Sequence, residues 1–328
     1  MTASLLPYLA RRFIVAALLV LGVASLTFVL IHAAPGDPAD MYLARDMDPA
    51  ARQAVLAAYG LDRPLLTQYG LWLAGLGRLE LGWSISHRRP VATVMAERIP
   101  KTLQITVPGF LLQLLLGIGI GWLAARRPGS LDDLLASGSA LVVYSLPSFW
   151  LGALLIMFFA MTLGWLPSSG IRDLIAAPAA GWPAIVDRAR HLILPVVCLG
   201  LGSAAATARY VRAGLLTARA SDFATAARAR GASETRVLGR HAMKNTLLPL
   251  ITLSGLSIPL LLGGSVLVES VFSWPGIGSL SVEAIYARDY PLVLAAQLLF
   301  ATTVIVGNLA ADVALIIVDP RLREGSMH

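Results

Sequence analysis

The chain has one cysteine, Cys198, in 328 residues. An internal disulfide and a cysteine-based metal cluster are both excluded. Charge is scarce as well: 14% of the residues are charged and 57% are hydrophobic. Soluble domains carry about 25% charged residues, so this composition places much of the chain in lipid. The two lysines, Lys101 and Lys244, follow a proline and a methionine. No Gly-Lys-Ser/Thr phosphate loop exists, and any ATP that drives this protein is bound by another chain. The five histidines are dispersed, without a His-x-x-x-His pair or a Glu-flanked zinc helix. No serine sits in Gly-x-Ser-x-Gly. The expectation is therefore no catalytic residues, no metal site and no cofactor in this chain.

What is present is a series of apolar runs near the ~20 residues needed to cross a bilayer. Six spans are predicted, at about 9–31, 103–125, 134–163, 192–216, 246–268 and 292–318. The fold class is an all-α polytopic membrane protein. The first run is too long for a signal-peptide core, and His32-Ala33-Ala34-Pro35-Gly36 offers no cleavage site. Basic residues set the orientation. Arg11, Arg12, Arg126, Arg127, Arg209, Arg212, Arg219 and the arginines of the 219–245 loop fall on one side, whereas the short loops opposite hold Arg172, Arg188, Arg190 and Arg288. Both termini are expected in the cytoplasm. The net charge of +7 reflects this asymmetry and does not point to nucleic acid.

The long loop after the first span carries its own helices. Asp48 and Pro49 open one, with Gly60 as its stop. A second starts at Pro64, with Leu65, Tyr69, Trp72 and Leu76 on one apolar face. A third short helix is expected to follow Arg88-Arg89-Pro90 and end near Pro100. In the third span, Pro147 deletes a backbone donor, and Ser145 and Ser148 can satisfy the freed carbonyl or offer hydroxyls to a pathway. The fifth span contains Ser254 and Ser257 among small residues that allow close helix approach. Asn308, Asp312 and Asp319 share a face of the sixth, where an ion pair with Arg321 or Arg12 is the favoured role for Asp312.

The longest polar, basic interruption in the second half is Ser221 to Pro249. Ser221 suits an N-cap with Asp222 in the first turn, and Gly231 suits a C-terminal stop. Phe223, Ala227 and Arg230 recur at helical spacing, and Ser233 opens a second helix through Arg236, Arg240 and Lys244. A slim basic helix ended by glycine can dock into a groove on a soluble partner. The same features also suit a plain basic loop obeying the positive-inside rule.

Thr225-Ala226-Ala227, three residues, then Gly231 resembles the EAA coupling loop of ABC-importer permeases, with Thr225 in place of the usual Glu. The run through His241, Asn245, Leu248 and Pro249 is similar to the dipeptide/oligopeptide/nickel subgroup. Ala34-Pro35-Gly36-Asp37-Pro38, Gly60 to Pro64, Leu81 to Ser84, and Glu269-x-Val271-Phe272-x-Trp274-Pro275-Gly276-x-Gly278 match the same family in order. So does Ala287 to Pro291. The resemblance implies a type I importer permease fold. It assigns ATPase coupling to Asp222, Phe223, Thr225, Ala226, Ala227, Arg228, Arg230 and Gly231. The pathway or gate would involve Ser145, Pro147, Ser148, Ser254, Ser257 and Asn308. Glu269, Phe272, Trp274 and Asp289 would face a periplasmic or extracellular substrate-binding protein. Partners would be a second permease, as a heterodimer, two ABC ATPase subunits that bind ATP and Mg, and the lipid bilayer of a bacterial or archaeal plasma (inner) membrane. Domain boundaries follow at 1–98, 99–320, with the coupling loop at 219–245, and 321–328. Midplane carboxylates are too few for an ion-coupled secondary transporter, which is the alternative.

Overall fold

The computed structural model describes residues 5–33, 62–173, 180–244 and 265–318, with single positions at 48, 50, 53, 57, 246, 247, 250 and 263. In chain order the elements are α1 (Leu5–Ala33), α2 (Leu65–Gly77), β1 (Trp83–Ser84), β2 (Arg89–Pro90), α3 (Val91–Arg126), α4 (Leu131–Ser145) and α5 (Ser148–Leu155), the last continued by a π-helical stretch Ile156–Thr162. Then come α6 (Trp182–Arg219), α7 (Asp222–Ala229), α8 (Glu234–Arg236) with a π-helical stretch Val237–Ala242, α9 (Val266–Val271), α10 (Ile277–Tyr286) and α11 (Tyr290–Val318).

Helices α1, α3, α6 and α11 are each long and apolar enough to cross a membrane, and α4 with α5 makes a fifth candidate that is bent by 104°. The chain is thus a multi-pass helical membrane protein. Most of the predicted fifth span, including Pro249, Ser254, Ser257 and Pro259, lies outside the described residues, as do Ala34 to Pro38, Pro49, Gly60, Asn245 and Asp319. The side chain of Asp312 lies outside them too.

Two sequence expectations are corrected. No helix ends at Pro100, because α3 runs unbroken for 36 residues through Pro100 and Pro108. Proline costs about 3 kcal/mol in a helix interior. Just past Pro100, the Trp274 indole N–H donates to the carbonyl of Lys101 at 2.7 Å, and the Thr102 hydroxyl donates to Glu269 at 2.7 Å. These bonds, the second of them buried, brace the helix immediately past the proline.

The second correction concerns Pro147, which divides the third span into two helices, with neither serine satisfying the freed carbonyl. Leu146 takes the extended conformation imposed on a residue before proline (ψ 132°), and Pro147 becomes the cap of α5. Its carbonyl accepts the N–H groups of Trp150 and Leu151. The Val143 carbonyl, four residues before the proline, accepts the Leu146 N–H at 3.2 Å. Ser145 instead donates to Leu141 at 2.9 Å.

Two compact units divide the chain: Met1–Pro100 with Gly276–Val306, and Lys101–Pro275 with Gly307–His328. In the first, Tyr69 and Trp72 of α2 set their rings 5.2 and 5.7 Å from Phe28 of α1, so the predicted apolar face packs on the first span. Leu65 stays outside this contact, exposed. The β1–β2 hairpin pairs Trp83 with Pro90 and Ser84 with Arg89.

In the second unit, α3 and α6 approach closely. A Cβ at Gly117 would stand 2.4 Å from Thr207 Cβ, and one at Gly121 would stand 2.6 Å from the Ala208 carbonyl oxygen. In lipid, packing and hydrogen bonds replace the hydrophobic drive between helices, so such contact depends on small residues. Ala125, Val211, Leu215, Ala218, Leu238 and Ala242 close a buried cluster at the end of α6.

Candidate functional site

The basic loop forms as a short helix, α7, whose caps can be read atom by atom. The Ser221 main-chain carbonyl accepts from Ala224 and Thr225. Its hydroxyl does not cap the helix; it turns back to donate to the Ala218 carbonyl at 2.5 Å. At the other end, Gly231 adopts φ +83°. Its N–H donates to the Arg228 carbonyl at 2.8 Å and that of Ala232 to the Ala227 carbonyl at 3.1 Å. This is the paired bonding of a Schellman stop, which requires a left-handed residue at this position. The sequence-read glycine stop is present.

Ala224 and Ala227 are buried against Val237, which explains the small residues. Ala227 therefore does not share a free face with Phe223 and Arg230 as the spacing suggested. The outward face holds Asp222, Phe223, Thr225, Ala226 and Arg230. Phe223, Ala226 and Arg230, spaced by three and four, place an aromatic ring and a cation together on it, with the Phe223 side chain 38% exposed.

One residue that sequence reading passed over organises this loop. Glu234 accepts from Arg228 Nε at 2.6 Å and lies 3.3 Å from Arg219 Nε, while Arg228 also donates to the Arg219 carbonyl at 3.0 Å. The Arg228 hydrogen bond, aided by the charges of both arginines, holds the Glu234 carboxyl below its usual range despite some desolvation. After Ser233, α8 passes into the π-helical stretch, so the expected second helix is present in a wider form. Thr225, standing where the general motif has Glu, is exposed.

The other predicted site residues do not gather into one place. Ser145 and Pro147 are exposed at the break between α4 and α5, and Ser148 is half-buried, its carbonyl 3.3 Å from Cys198 Sγ. Asn308 is exposed on α11. The four residues read as facing a soluble partner are all buried: Glu269, Trp274 and Asp289 at 0% and Phe272 at 1% exposure. They brace the chain rather than present a surface. Glu269 accepts hydroxyl hydrogen bonds from Thr102 and Ser265 at 2.7 and 2.8 Å.

Asp289, in the first unit, accepts from the Ser84 hydroxyl at 2.5 Å and from the Ser86 N–H and hydroxyl at 3.0 and 2.8 Å. Its other oxygen takes the Leu292 N–H at 3.3 Å, capping α11. It ties the hairpin to that helix.

A second missed feature is an ion pair inside the second unit. Arg212 of α6 donates through Nε and Nη2 to the two oxygens of Asp133, each at 2.7 Å. A recess of about 800 Å³ in the same unit is lined in part by Arg172, Asp187, Arg190 and His191. His191, isolated in the sequence, bonds the Asp187 carbonyl at 2.8 Å. Among the described residues no three His, Cys, Asp or Glu side chains converge as a metal site.

Comparison with known proteins follows these contours. The family described as "Binding-protein-dependent transport system inner membrane component" matches residues 117–324, and its N-terminal counterpart matches residues 5–106. The oligopeptide transport system permease protein AppB of Bacillus subtilis is 38% identical over 96% of this chain and 98% of its own length. The di/tripeptide permease protein DppB of Pseudomonas aeruginosa is 38% identical over 97% and 99%. The glutathione transport system permease protein GsiC of Escherichia coli is 37% identical over 92% and 94%. A solved inward-facing MetNI methionine ABC transporter chain shares the fold at TM-score 0.52 and 20% identity, covering 70% of this chain and 97% of its own.

Proposed function

The chain belongs to the family of binding-protein-dependent transport system inner membrane components, and we propose that it forms half of a translocation path for short peptides. Proteins of this family are transport subunits rather than enzymes, and they work with ATPase subunits and a substrate-binding protein. The peptide assignment rests on the substrates named for its full-length relatives. In this reading the path crosses the membrane six times with both termini in the cytoplasm, and the core comprises residues 99–320. A homologous second permease completes it as a heterodimer, in a bacterial or archaeal plasma membrane.

The observation that carries the mechanism is the outward face of α7. Phe223, Ala226 and Arg230 stand free on a helix held by Glu234 and terminated at Gly231. We assign Asp222, Phe223, Thr225, Ala226, Arg228 and Arg230 to the ATPase contact, with Ala227 and Gly231 shaping the helix. ATP-driven closure of the ATPases moves this helix, and the movement opens the path alternately to each side. Ser145, Pro147 and Ser148 at the broken span, and Asn308 on α11, are assigned to the path. Ser254 and Ser257 are assigned with them on sequence grounds. Glu269, Phe272, Trp274 and Asp289 position the outer loops on which the binding protein docks.

The ion-coupled alternative predicts uptake without nucleotide. The test is purification of this chain from its membrane with whatever accompanies it, followed by reconstitution with its binding protein. Recovery of a second permease and two ATPases, with ATP-dependent tripeptide uptake, is the expected result. Uptake by this chain alone, without nucleotide, would overturn the reading.

A further inference from the structure

We infer that the Asp133–Arg212 pair is the joint that carries displacement of the coupling loop into the broken span formed by α4 and α5. The inference rests on the coupling role proposed for α7.

The loop is fastened to the end of α6. Glu234 binds Arg219, and Arg228 binds the Arg219 carbonyl. Leu238 and Ala242 pack with Val211, Leu215 and Ala218. A push on α7 therefore moves the last turns of α6. Arg212 lies seven residues before Arg219, about 10 Å along the helix at 1.5 Å per residue.

At that level α6 grips α4 through the Asp133 carboxylate, and one turn earlier on α6 the Arg209 guanidinium lies 5.5 Å from the Tyr144 ring of α4. Asp133 is the only buried residue of α4. Leu131, Leu134 and Leu135 around it are 74%, 68% and 67% exposed. Besides the fork from Arg212, Asp133 accepts the Gly129 N–H at 3.0 Å and the Ser137 hydroxyl at 3.2 Å. It thus ties together the turn after α3, the first turns of α4, and α6. A two-point arginine fork fixes direction as well as distance. Helix α4 leads directly into α5 at 104°. A few ångströms of movement in α6 are delivered to the start of a bent element, whose far arm swings in response.

The pair is a positioning device, so its test must separate coupling from stability. Removing one partner leaves a buried charge uncompensated, whereas neutralising both removes that penalty. The reconstituted complex is assayed for ATP hydrolysis and for uptake of labelled trialanine. Asp133→Asn and Arg212→Gln singly should lower complex yield. In the double variant the yield should recover to within about twofold of wild type. Its uptake per ATP should stay at least about tenfold below wild type, within the usual range of coupling energies.

Arg212→Lys keeps the charge but loses the fork, and should assemble with uptake per ATP reduced about threefold. A spin-label pair at Met161 and Ser203, both exposed, should change separation on adding ATP and vanadate in wild type but not in the double variant. Wild-type uptake and label movement that survive in the double variant, or in Arg212→Lys if the double variant does not assemble, would overturn the joint. A wild-type complex that moves its labels with nucleotide yet imports no trialanine would overturn the peptide assignment alone. The joint would then be judged on the labels.

Discussion

Two arginine–carboxylate clusters lie within the same unit, and they differ in burial. In the loop, Glu234 bridges Arg219 and Arg228 with its side chain 49% exposed. Between the helices, Asp133 meets Arg212 with its carboxylate side chain only 8% exposed. The chemistry is the same, and water decides the weight. Exposed pairs contribute about 0.2–1 kcal/mol, because solvent and side-chain entropy compete with them. A sheltered pair is costly to break, because the remaining partner keeps its desolvation penalty without its compensation. The loop cluster thus suits the ATPase contact proposed for α7, and the helix cluster the joint inferred at α4.

The largest effect should come from Asp133→Ala. It strands Arg212 and releases Gly129 and Ser137, and a loss of about 2–4 kcal/mol is expected. Arg212 is one-third exposed, which keeps the figure below that of a fully buried pair. Thermal unfolding of the purified chain in detergent measures it. A loss no larger than that of Glu234→Gln would erase the difference drawn between the two clusters.

Asp289 tests whether burial or arginine carries the weight. It is fully buried, yet its donors are the hydroxyls of Ser84 and Ser86 and two main-chain N–H groups. Asp289→Ala orphans those groups and should cost about 2–3 kcal/mol. The change should appear as faster proteolysis at the 83–90 hairpin before global unfolding.

Gly231→Val comes next. No atom lies within 4 Å of a Cβ at this position, so the penalty is backbone alone. A β-branched residue at φ +83° costs about 1–2 kcal/mol. Insertion should be normal, while the fraction of ATPase retained on purification falls severalfold. Unchanged retention and uptake would count against the coupling role of α7.

These clusters also mark what could be read from sequence. The Gly231 stop, the proline interruption at 147 and the apolar runs of α1, α3, α6 and α11 are local, set by residue type and spacing. Asp133 and Arg212 are 79 residues apart, and nothing in Ser130-Leu131-Asp132-Asp133 distinguishes a helix-opening acid from a tertiary ligand. Ala227 looked like part of the Phe223 face because spacing gives a side chain's angle but not what covers it. Val237, ten residues on, turned it inward. Glu269 and Asp289 looked like surface charges beside turn residues. Their burial depends on Thr102 and Ser84, each more than 160 residues away.

The smallest effect should be the acid response of the loop. The Glu234 carboxyl is held below its ordinary value of 4.5 chiefly by the Arg228 hydrogen bond. A carboxylate depressed in the folded state adds stability that is fully present above its unfolded pKa and disappears as pH falls through its folded pKa. The loop should therefore keep the same order from neutral pH down to about 4.5 and loosen only below it. With half the side chain in water, the contribution is about 0.5 kcal/mol. Limited proteolysis of residues 219–236 across that range reads it out. Glu234→Gln should cut at the acid rate at every pH and lose the acid limb. A loop in the wild type that loosens between pH 7 and 5 would mean that another group holds it, and Glu234 would lose its place as the organiser of the exposed cluster.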